Sequence, residues 1–287
     1  MRLGVVGMMP SDFRAINGGH LAAVRALGLT GVGFHAGGRG LFDVTSGETA
    51  AVKNTFAAQG INIVQFGIGY PDCLFDPEAE ARGEVVRVIG RGIEVAAGLG
   101  AHVCLIRTGS LSPNGSYFPS AQNHSPKSWH RLRETVRRIA DKAEAVGQTV
   151  VIETHLLTIL ESPEANQRIV AEIGSPRIKV VMDYTNHFPT LQNVFHSTER
   201  LNHIFDVMGT ISGVAHCKDI IFGPTLVLHI DEAIPGEGLL DIATALRRWH
   251  ALYPDGYMLL EHLPDSDYPL AAANTMRIAA KAGVEIH

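Results

Sequence analysis

The chain has 287 residues, 24 Lys plus Arg against 29 Asp plus Glu, and a formal charge of −5. That balance excludes the basic surface that a nucleic acid or an anionic membrane requires, and a hydrophobic content of 46% excludes disorder as the main state. Three cysteines, Cys73, Cys104 and Cys217, cannot all pair within the chain and lack metal-finger spacing, which points to a reduced, cytoplasmic setting.

The first apolar run stops at Pro10, too short for the core of a secretory signal, and no run of membrane-spanning length follows. Apolar or β-branched runs predict strands at residues 3–7, 31–34, 61–66, 103–107, 149–153, 179–183, 213–216 and 257–261. Between them lie amphipathic stretches. The clearest, at 78–99, 128–146 and 240–252, repeat their apolar residues at three and four. Gly100 and Gly147 stand where helix-ending glycines belong. Strand–helix alternation of this kind predicts parallel strands joined by crossover helices. Without a GxGxxG after the first strand, it predicts a closed (β/α)8 TIM barrel, α/β in class, formed by residues 1–287 as one domain. A seven-strand count is the alternative. The least regular stretches, 108–125 and 218–238, both follow strand C-termini and are candidate lids.

Four late strands end in residues that are costly to bury: Glu153, Asp183, His216 and Glu261. At equivalent places on consecutive staves they meet at one rim. Three carboxylates massed in a low-dielectric mouth repel unless a cation holds them. One divalent metal ion resolves this, and three oxygens with one imidazole suit Mn²⁺ or Mg²⁺ first, with Co²⁺ feasible and Zn²⁺ less natural without thiolate.

Further polar residues flank these positions. His155 lies two residues beyond Glu153, on the same side if the strand continues, and reads either as an acid/base or as a loop histidine bonded to a carbonyl. Lys218, two beyond His216, either holds a substrate oxygen or neutralises surplus carboxylate. After Asp183, Asn186 and His187 supply two donors, one for substrate and one to order the loop. Arg107 reads either as a clamp for an anion or, the favoured reading, as the ion-pair partner of an acid, His35 as a minor pocket wall, and His229 with Asp231 as a potential ligand pair beside a tight turn. Cys217 alternates away from His216, and Cys104 is core. The remaining histidines, His262 among them, have no supporting spacing and read as surface or core residues.

The order Glu153, Asp183, His216, Glu261, with His-x-Lys-Asp at 216–219 and Pro-Gly-Glu-Gly-x-Leu-Asp at 235–241, resembles the sugar phosphate isomerase/epimerase family of xylose-isomerase-like barrels. The resemblance implies Mn²⁺ or a similar ion held by those four residues. It also implies that Glu153 and Glu261 exchange a proton on opposite faces of a sugar carbon through an enediolate, as in ketose 3-epimerases. In that version His187 and Lys218 position substrate oxygens. Two departures stand out: Asn186 holds the place where such epimerases carry histidine, and no arginine follows Lys218 to match theirs. Glu-x-His at 153–155, Ser-Pro-Glu at 162–164 and Gly-Ser-Pro at 174–176 look more like the catalytic subunits of C-glycoside deglycosidases. In those carbon–carbon lyases the base would be His155, and some of them require a small second subunit. Apurinic-site endonucleases share the barrel but need further histidines on earlier strands. A non-catalytic, metal-dependent sugar-binding protein is the remaining alternative. The expected partner is a sugar or sugar-like small molecule, with no nucleic acid or membrane, and exposed helices make a homo-oligomer the expectation.

Overall fold

The chain, described over Met1–His287 by a computed structural model, runs through ten strands. They are β1 (Arg2–Val6), β2 (Gly31–Gly37), β3 (Asn62–Gly69), β4 (Val103–Arg107), β5 (Val150–Glu153), β6 (Ile178–Met182), β7 (Ser212–Cys217), β8 (Asp219–Phe222), β9 (Ile230–Ala233) and β10 (Tyr257–Glu261). Eight of them pair in parallel and close a barrel in the order β1-β10-β7-β6-β5-β4-β3-β2. The expected (β/α)8 barrel is therefore the fold. Its strands are buried on both faces, which is why they read as unbroken apolar runs. Nine residues, Val6, Val64, Val103, Leu105, Val151, Val181, Val214, Tyr257 and Leu259, form a separate apolar cluster of their own. A larger cluster of 69 buried residues makes up the rest of the core.

The helices are α1 (Gly18–Ala26), α2 (Ser46–Gln59), α3 (Ala79–Leu99), α4 (Pro126–Val146), α5 (Pro163–Ile173), α6 (Leu191–Phe195), α7 (Ser197–Met208), α8 (Ile242–Leu252) and α9 (Tyr268–Lys281). The three clearest sequence patterns become α3, α4 and α8, within two residues at each end. Helix α4 starts on Ser125, whose side chain accepts from the Ser128 amide, with Pro126 at the first helical position. It ends at Gly147, whose φ of 78° is left-handed. Ser162 and Pro163 open α5 in the same way, and Gly174 closes it. The two short motifs at 162–164 and 174–176 therefore punctuate a helix. No helix is long and apolar enough to cross a membrane.

One expectation is corrected here. The segment 218–238 is not irregular: β8 and β9 pair antiparallel as a hairpin outside the barrel, with Asp219 opposite Ala233 and Phe222 opposite Ile230. Asp219 anchors it. The carboxylate accepts from the amides of Ile220 (2.9 Å), Gly236, Gly238 and Leu240 (3.0 Å each), so the chain after β9 is drawn back against the end of β7.

Candidate metal centre

Register brings the four strand-end groups together. Glu153 is the last residue of β5, Asp183 follows β6, His216 is the penultimate residue of β7, and Glu261 ends β10. One ligand atom from each lies within 4.8 Å of every other, and all four residues are buried. His216 Nδ1 is 2.8 Å from Glu261 Oε2, 3.5 Å from Asp183 Oδ2 and 3.9 Å from Glu153 Oε1. The short approach to Glu261 lacks hydrogen-bond angles, which leaves Nδ1 and Oε2 buried without a hydrogen-bond partner. These two atoms, facing each other among three carboxylates, are an arrangement that a shared cation would satisfy. The donor set, hard oxygens with one imidazole, suits a divalent ion.

The groups around the cluster orient it. His216 Nε2 lies 2.9 Å from Gln65 Oε1, so the ring donates its Nε2 proton there and turns Nδ1 to the carboxylates. Gln65, fully buried on β3, escaped the sequence reading. An amide in the middle of an apolar strand was the available signal. Asp183 accepts from Thr185 Oγ1 at 2.7 Å and from Asn186 Nδ2 at 2.9 Å. Lys218 Nζ lies 2.8 Å from Asp183 Oδ2 and 3.0 Å from Glu261 Oε2.

Protonation follows from this geometry. Burial works against the charged form of Asp183 and of Glu261, but the Lys218 and His216 charges outweigh it and hold both carboxyls well below their usual range. Glu153 goes the other way, raised by burial and by the Glu261 charge. Burial alone would depress His216, yet the Glu261 and Asp183 carboxylates lift it to about 10. Two carboxyls with opposite shifts in one site are the arrangement that general acid/base chemistry uses.

The cluster opens into a cavity of about 1030 Å³, lined among others by Phe34, Arg107, Tyr117, Glu153, His155, Asn186, Phe188, Glu232 and Glu261. His155 stands in its wall, stacked on Tyr117 with ring centroids 5.4 Å apart, and burial holds its imidazole below the ordinary value. Asn186 also lines the cavity, with its amide nitrogen committed to Asp183. His35 lines the wall as expected.

Several expectations are corrected. His187 does not reach the cavity: it is fully buried, 3.4 Å from Asn166 Nδ2, and burial pushes it down to about 4. The 3-10 turn after β6 sends it away from the mouth. Lys218 does not line the cavity either. It is 2% exposed and serves as counter-ion to the carboxylates. Arg107 pairs with no acid; its guanidinium lies over the Tyr117 ring, 5.0 Å from the centroid, and faces the cavity. His229 and Asp231 are exposed on the hairpin and do not belong to the ligand cluster. His262 is the reverse case. It lines the cavity, 3.1 Å from Lys218 Nζ and 3.0 Å from Glu232 Oε1. Strand alternation would turn it away from Glu261, but its φ of 60° is left-handed and turns it back.

Comparison with known proteins agrees with the architecture. The chain belongs to the xylose isomerase-like TIM barrel family, whose model matches residues 21–282. An inosose dehydratase of Lacticaseibacillus casei is 24% identical over 198 residues, 64% of this chain; the match spans only 63% of that relative's length. Among solved structures, the Escherichia coli 3-keto-D-glucoside 4-epimerase superposes with a TM-score of 0.71 at 15% identity, covering 98% of this chain and 99% of its own. A Mycobacterium smegmatis xylose isomerase-like barrel, solved with magnesium, gives 0.70 at 15% identity over 98% and 96%. At such identities these structures speak for the fold.

Proposed function

We propose that the protein is a divalent-metal-dependent enzyme that removes a proton next to a carbonyl on a sugar or sugar-like substrate and returns it as an isomerase or epimerase. The single observation behind this is the convergence of Glu153, Asp183, His216 and Glu261 on one point, with Glu153 and Glu261 lining a large cavity. These four residues would hold the ion, with Mn²⁺ the first choice and Mg²⁺, Co²⁺ or Zn²⁺ as alternatives. A bound divalent cation supplies polarisation of a carbonyl and stabilisation of the negative charge of an enediolate. Glu153, with its raised carboxyl, and Glu261 are the acid/base pair: one takes the proton from carbon and the other delivers one. Asn186 and Thr185 keep Asp183 aimed, and Lys218 balances Asp183 and Glu261. The apolar wall, with Phe34, Phe188 and Leu263, limits water around the reacting carbon.

A second reading, lyase chemistry from the same enediolate, is favoured by His155. Its ring makes no hydrogen bond, is held neutral by burial and faces a cavity larger than one sugar ring, so it can serve as base for elimination or for release of an aglycone. The dehydratase relative belongs to that chemistry by name.

The test is solvent exchange. Protein loaded with Mn²⁺ and incubated with ketoses in D2O is expected to place deuterium on the carbon beside the carbonyl, and Glu261→Gln to slow this roughly 100-fold or more. Metal analysis is expected to find about one ion per chain, absent from Asp183→Ala. Unchanged exchange in Glu261→Gln, or a stoichiometric ion in Asp183→Ala, overturns the isomerase assignment. Product release without exchange, lost in His155→Ala, transfers it to the lyase.

A further inference from the structure

Resting on the proposed sugar-directed chemistry, we infer that Arg107 is a specificity residue that holds a carboxylate of the substrate, and that the substrate is an acid and not a phosphate ester. The guanidinium ends β4, lines the cavity and has neither an ion-pair partner nor a side-chain hydrogen bond. A planar fork with its donors unspent is suited to bidentate capture of a carboxylate.

The surroundings hold that side chain in place. Tyr70 Oη donates to the Arg107 carbonyl at 2.6 Å and accepts from its amide at 2.9 Å, fixing the backbone at the strand end. The Tyr117 ring supports the guanidinium face. Arg107 is directly in register with Glu153, and neighbouring strands lie about 4.8 Å apart, so an anion there sits within one sugar length of the reacting carbon.

Charge sets the valence. The Lys218 ammonium is taken up by Asp183 and Glu261, at 2.8 and 3.0 Å. Glu232 lies 3.0 Å from His262 and 3.6 Å from Lys218. Arg107 is the guanidinium that lines the cavity with no acid beside it, and a single such fork suits a carboxylate monoanion better than a phosphate dianion.

The usual phosphate seat of such barrels is also spent. It is built from backbone amides in the loops after the last two staves. Here the amides of Gly236, Gly238 and Leu240 after β7 donate to Asp219. The loop after β10 carries Pro264, Asp265 and Asp267, which offer fewer amides and the wrong charge.

The experiment compares D-glucuronate, D-glucose and D-glucose 6-phosphate by calorimetric titration of Mn²⁺-loaded protein whose metal content is measured in the same samples. Glucuronate is expected to bind roughly tenfold or more tighter than glucose, and the phosphate no tighter than glucose. Arg107→Gln is expected to erase the preference and Arg107→Lys to keep part of it, with metal content unchanged in both. Equal affinity for glucuronate and glucose, or a preference that survives in Arg107→Gln, overturns the inference; tighter binding of the phosphate replaces the carboxylate with a phosphate. Wild-type protein that holds no metal overturns the underlying functional reading instead, so the two failures are told apart.

Discussion

At the scale of single residues, the orientation of His216 depends on a side chain from the far part of the chain. Gln65 accepts the Nε2 proton and so fixes the ring with Nδ1 facing Glu153, Asp183 and Glu261. Gln65→Leu is expected to leave the barrel folded while weakening divalent-ion affinity about 10- to 100-fold, read by metal titration. Undiminished affinity would show that packing alone orients the ring. His262 and His187 make the complementary point. Each is one residue from a position that counting along the chain favours or dismisses, and one local turn reverses the outcome: a left-handed φ brings His262 to the cavity, and a 3-10 turn removes His187 from it.

Among the elements, the β8–β9 hairpin has the greatest consequence for the site. Ile220, Ile230 and Glu232 give it part of the cavity wall, and Asp219 fastens it through four amides. Asp219→Ala strands those donors, and amides that lose a charged acceptor are costly when shielded from water. The expected loss is about 2–4 kcal/mol in denaturant unfolding, with new proteolytic cleavage between residues 223 and 240. An unchanged midpoint would mean that the hairpin is held by its apolar contacts instead. The exposed tip at Leu226, Val227 and Leu228 has no comparable anchor.

For the whole molecule, ion binding and folding are linked, because the four ligands come from four strands and meet only in the closed barrel. A cation that binds the native state alone stabilises it by about 2.7 kcal/mol at one hundred times its Kd, which for a chain of this size raises Tm by about 5 °C. The expected result is a chelator-reversible rise in Tm with Mn²⁺ that is absent in Asp183→Ala. An equal rise in that variant would place the ion elsewhere.

The barrel and its four strand-end groups could be read along the chain because both are encoded locally. Parallel strands covered on both faces are uninterrupted apolar runs, and a charged residue closing such a run is conspicuous in any one stretch. Glu153, Asp183, His216 and Glu261 each stand out in this way. Long amphipathic helices such as α3 and α4 show their period and their ends for the same reason. The partners of those groups were settled by closure of the barrel instead. Gln65 meets His216 across 151 positions. Lys218 turns to Asp183 and Glu261, Arg107 is left without an acid, and Asp219 collects amides from up to 21 residues away. Hydrogen bonds and ion pairs act over a few ångströms, and which polar groups come that close is a property of the packed chain, not of any window of its residues.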